Sequence, residues 1–84
     1  MTKEDFTRMS FIDKIQALYH KGTFVVAIRY YRYKVNLYLI GNFYVEVFFN
    51  HKLDRIDRIE LLDRHHSRSK FYADQIKLPM GLLD

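Results

Sequence analysis

Few residues in this 84-residue chain have the type and setting for chemistry, and each has a plainer account beside it. Cysteine is absent, which excludes a thiol nucleophile, a thiolate metal ligand and a disulfide. The serines are Ser10, Ser67 and Ser69, and none stands in a nucleophile-elbow pattern. His51, His65 and His66 offer imidazole nitrogens. Adjacent histidines on a strand point to opposite sides, however, and no acidic ligand sits at zinc-like spacing. They read as solvated loop residues, so neither a metal nor any other cofactor is expected. Glu46 is the carboxylate inside the most apolar part of the chain. Burial there would suit a general base, but a cross-strand or diagonal contact with Arg29 accounts for both charges without catalysis. No catalytic residue is assigned, and the balance is against an enzyme.

The sharper pattern is Arg29-Tyr30-Tyr31-Arg32-Tyr33-Lys34, with Tyr38, Tyr44 and Phe48 following on alternate positions. Rings interleaved with cations suit single-stranded nucleic acid, because bases stack on rings while phosphates meet Lys and Arg. No RNP-type motif, Gly-x-x-Gly loop or zinc-knuckle spacing accompanies it. Packing supplies the competing account. Val25, Ala27, Tyr31, Tyr38, Ile40, Tyr44 and Phe48 make one sheet face too apolar to be left wet, which marks a partner surface. The expected binding face therefore carries Arg29, Tyr31, Lys34, Tyr38, Tyr44, Glu46 and Phe48. A second copy of the chain is the leading partner, meeting it through that tyrosine-rich face or a sheet edge. A single-stranded nucleic-acid-binding module is the alternative, and an enzyme or small-ligand binder with a helix–sheet pocket comes third.

The elements that position these residues follow from periodicity. Phe6, Met9, Ile12, Ile15 and Tyr19 recur at three- and four-residue steps, which predicts a helix over Thr2–His20. Thr2 and Asp5 resemble a capping box, and Gly22 is the expected left-handed stop. Phe24, Val26, Ile28 and Tyr30 alternate along a first strand. A two-residue turn at Arg32-Tyr33 would set Tyr30 opposite Val35 and Ile28 opposite Leu37 in a second strand, Lys34–Ile40. Gly41-Asn42 marks the next turn. A three-residue loop there aligns Val35, Leu37 and Leu39 with Val45, Val47 and Phe49 on the face that the helix covers. Residues 50–54 are a polar connection. Within Arg55–Asp63, the three-residue steps of Leu53, Ile56, Ile59 and Leu62 would favour a helix, but the alternation around Ile59 and Leu61 and the short loop upstream favour a fourth antiparallel strand whose alternating charges blunt an edge. Ser67 or Ser69 would cap a short helix ending near Ile76, before Pro79.

The expected fold class is thus α+β: an N-terminal helix on a four-stranded antiparallel meander, then a short C-terminal helix. One domain covers residues 1–84, with the helix in 1–22, the sheet in 23–63 and a basic segment, short helix and tail in 64–84. Fourteen Lys and Arg against ten Asp and Glu give a net charge of +4, which permits an acidic partner without demanding one. No run approaches the roughly 20 apolar residues of a membrane span, and the first ten residues lack the apolar stretch of a signal peptide. A cytoplasmic setting without membrane contact is expected, and self-association is the natural support for so small a core.

Overall fold

The structure, a computed structural model, describes residues 1–62 and residue 72. The chain opens on two helices, α1 (Lys3–Arg8) and α2 (Phe11–Lys21), rather than on one continuous helix. Thr2 and Asp5 do form a capping box, the Asp5 N–H donating to Thr2 Oγ1 at 3.1 Å and the Thr2 N–H to Asp5 Oδ2 at 3.2 Å. The break follows because Ser10 repeats the device. Its hydroxyl accepts from the Asp13 N–H at 3.1 Å, while Met9 and Ser10 take extended backbone. Gly22 ends α2 with φ −85°, so its role is not the left-handed stop. Its N–H donates to the Leu18 carbonyl, and an added Cβ would stand 2.6 Å from that oxygen. Close approach is what requires glycine there.

Four antiparallel strands follow in the order in which they occur: β1 (Thr23–Tyr30), β2 (Tyr33–Ile40), β3 (Phe43–Asn50) and β4 (Arg55–Leu61). The meander and the N-terminal helical arm match the α+β expectation. The C-terminal helix expected before Pro79 lies outside the described residues, Tyr72 excepted.

Both turn assignments shift. The first turn is Tyr31-Arg32, so Tyr30 pairs with Tyr33, Ile28 with Val35 and Val26 with Leu37. Parity is preserved, and Val26, Ile28, Val35 and Leu37 do share a side. The second turn is Gly41-Asn42 alone, pairing Ile40 with Phe43 and Leu37 with Glu46. That two-residue connection puts Leu37 and Val47 on opposite sides of the sheet, against expectation. A bulge at Val25 adds one more change: Val25 and Val26 both pack on the Leu37 side, and Phe24 turns to the other.

The sheet therefore has a core on each side. On one side, Phe6, Ala17 and Leu18 of the helices meet Ile40, Phe43, Val45 and Val47. The Phe6 ring stands edge-on to Phe43, centroids 5.9 Å apart. On the other side Ile28, Val35, Leu37, Tyr44 and Phe48 pack with Leu62 and Tyr72. β3 is the strand shared by both cores, which is why every residue from Phe43 to Phe48 is buried.

Candidate interaction surface

The seven residues expected on one binding face are divided by the two-residue turn at Gly41-Asn42. Arg29, Lys34 and Tyr38 lie on the helix side, since Arg29 pairs with Lys34 and Tyr38 with Val45. Tyr44, Glu46 and Phe48 lie on the other side and are all buried. Tyr31 stands at the tip of the first turn, 83% exposed. The tyrosine-rich face is accordingly two half-faces.

The buried half belongs to the chain's own interior. Glu46 cannot pair with Arg29, because the two side chains leave the sheet on opposite sides. Its carboxylate instead accepts from the Tyr72 hydroxyl at 2.8 Å, and both residues are fully buried. Arg58 lies over the Phe48 ring, guanidinium carbon 4.1 Å from the centroid, and closes that ring off from solvent. Burial pushes the Tyr44 hydroxyl's pKa up. At the end of this side the β4 bulge aims Asp57 inward, where it accepts from Asn50 Nδ2 at 3.1 Å, Arg55 Nε at 2.8 Å and the Tyr33 hydroxyl at 3.1 Å. Those donors, Asn50 first and then Arg55, hold its carboxyl below the ordinary 3.8. The cluster ties β2, β3 and β4 together and is fully occupied by its own members.

The helix side is covered only in part. α2 sits over β3 and the end of β2, leaving an apolar cleft of about 340 Å³ whose walls include Ile15, Tyr19, Phe24, Tyr38, Ile56 and Ile59. Tyr19 is 84% exposed and Phe24 is 54% exposed. Periodicity assigned both to the core. The Val25 bulge carries Phe24 out of the alternation, and Tyr19 falls on the flank of α2 that overhangs the cleft. Beyond the helix, Arg29 and Lys34 are exposed, Asn36 and Phe49 half-exposed.

Two strands form the edges of the sheet among the described residues, and their chemistry differs. β4, RIDRIEL, carries four charges in seven residues, the usual protection of an edge. β1, TFVVAIRY, carries Arg29 alone. Its pairing with β2 is regular from Val26 to Tyr30, so its outward backbone groups there form an undistorted row.

Among the described residues, no group of three or more His, Asp and Glu side chains is placed to hold a metal ion. No helix among them is long and apolar enough to cross a membrane. Neither protein-family models, nor curated proteins, nor solved structures show a match to this chain.

Proposed function

We propose that this chain is a non-enzymatic interaction module that pairs with a second copy of itself along the outer edge of β1, an edge strand among the described residues. The observation that carries the reading is the contrast between the edges: β4 is guarded by charge and β1 is not. An edge strand with a single charge is poorly guarded, and an antiparallel copy of itself would pair with the outward backbone groups that no described residue covers, about a two-fold axis. That axis stands perpendicular to the sheet, so both α2 helices fall on the same side of the joined sheet. Phe24 and Tyr19 of each copy then flank the junction, which gives their exposed rings a use.

The reading is tested by sedimentation velocity at micromolar concentration. The parent chain should sediment at twice the chain mass. Ala27→Lys puts a cation in the half-buried middle of β1, and Phe24→Asp puts an anion on an exposed ring position; each should return the species to one chain mass with the circular dichroism spectrum of the folded chain retained and the concentration dependence of the melting temperature lost. A parent that sediments as a single chain removes the proposal. So do well-folded variants that remain paired.

A further inference from the structure

We propose that the tip of the β1–β2 hairpin binds single-stranded nucleic acid, Tyr31 stacking on a base while Arg29, Arg32 and Lys34 meet phosphates. The inference stands on different observations from the edge pairing and does not need it.

The first observation is a comparison within the molecule. Two of the three hairpins, β1–β2 and β2–β3, turn in two residues, and in each the first turn residue has positive φ, Tyr31 at +57° and Gly41 at +61°. The longer β3–β4 turn gives its positive φ to Asp54, a small polar residue that tolerates it. Glycine is the natural occupant, since a side chain at that φ is strained. One tight hairpin follows this rule and the other spends the slot on a tyrosine that is 83% exposed. Its ring touches Tyr30 edge-on at 4.7 Å and is otherwise held out in solvent. Folding gives no reason to hold a ring there by a strained backbone; a stacking platform does.

The second observation is charge. No Asp or Glu occurs between Asp13 and Glu46, so the hairpin is purely cationic. Arg29 and Lys34 are direct cross-strand partners, both exposed. Like charges placed opposite each other on a sheet weaken it. Ion pairs between described residues, Arg55–Asp57 and Arg58–Glu60, lie within β4 and involve neither side chain. Arg32 adds a third exposed cation beside Tyr31, and Phe49, opposite Lys34 on β3, adds a half-exposed ring on the same side. A bound polyanion resolves the repulsion. The exposed ring among three cations favours a ligand with flat bases over an acidic peptide or a lipid headgroup.

Fluorescence anisotropy with an end-labelled mixed-sequence oligonucleotide of about twelve nucleotides tests this. Three phosphate contacts predict a slope of about −2 in log affinity against log salt, which weakens binding about 20-fold from 50 to 200 mM. Tyr31→Gly should weaken binding about 5- to 150-fold, the worth of one stacked base, with the fold intact because glycine suits the slot. The double variant Arg29→Gln/Lys34→Gln removes a repulsion from the fold and should bring the slope to about −0.7. Absence of binding at 50 mM salt overturns the proposal. Unchanged affinity in Tyr31→Gly overturns it too, as does tighter binding to polyglutamate or to phosphatidylserine vesicles than to the oligonucleotide.

Discussion

The two tight turns supply a matched pair of perturbations whose effects on stability should differ in size and can differ in sign. At Gly41, φ is +61° and an added Cβ would lie 3.3 Å from the Met1 carbonyl oxygen. Gly41→Ala therefore takes on the left-handed penalty of about 1–2 kcal/mol and obliges the chain's first residue to give way slightly. Tyr31 already carries that penalty at +57°, so Tyr31→Gly releases it. Against the release stand the loss of the edge-on contact with Tyr30 at 4.7 Å, about 0.5–1.5 kcal/mol, and the greater backbone freedom of glycine in the unfolded chain, about 0.5–1 kcal/mol. These offset one another to within about 1 kcal/mol, whereas at Gly41 the loss of glycine's freedom in the unfolded chain, about 0.5–1 kcal/mol, only partly offsets the left-handed penalty and the displacement of Met1. Urea unfolding followed by circular dichroism resolves the two, and each kcal/mol corresponds to about 4–8 °C in melting temperature for a domain of this size. If Tyr31→Gly costs more than about 2 kcal/mol while Gly41→Ala costs nothing, the Tyr31 ring is part of the folded core and the argument from the strained slot fails.

Three further perturbations probe the elements that set the two sides of the sheet. Phe6, 1% exposed and packed on Phe43, anchors α1, and Phe6→Ala should cost about 3–5 kcal/mol by urea unfolding; a loss under about 1 kcal/mol would mean that α1 is not docked through this ring. Tyr72→Phe removes the 2.8 Å hydrogen bond to Glu46 and should cost about 1–3 kcal/mol, and an unchanged unfolding midpoint would refute the contact. Asp57 concerns pH: its folded pKa lies below the ordinary 3.8, so its stabilisation is present above that value and is lost as pH falls through the folded pKa. The stability gap between the parent and Asp57→Asn should therefore narrow as pH falls below 3.8; a gap constant from about pH 6 to pH 2 contradicts the assignment.

Much of the candidate surface was legible from residue types, and its arrangement was not. Arg29, Tyr31 and Lys34 stand out in the sequence because rings and cations interleave there, and all three are exposed. Tyr44, Glu46 and Phe48 fit the same pattern and are interior. The difference lies in what stands above them, which alternation along a strand does not record. Ser10 is a case where the signal was present: Ser10-x-x-Asp13 repeats the spacing of Thr2-x-x-Asp5, but the apolar stripe runs through the break and masks it.

Local chemistry by itself determined the first three strands, their antiparallel succession, the cap at Thr2 and the side shared by Ile28 and Leu37. These depend on neighbours a few residues away, and the residues carry that information. Local chemistry left the segment from Arg55 balanced between strand and helix until β4 paired with β3. Sidedness across Gly41-Asn42 was decided only in three dimensions. Both sides of β3 are buried, so although Phe43, Val45 and Val47 make the greasier side and favoured alignment with Leu37, the polar Glu46 and Asn50 on the other side do not bar the register that the structure takes. The two-residue turn makes the choice, and Tyr72, 26 residues along the chain from Glu46, makes a carboxylate tolerable on the side that results.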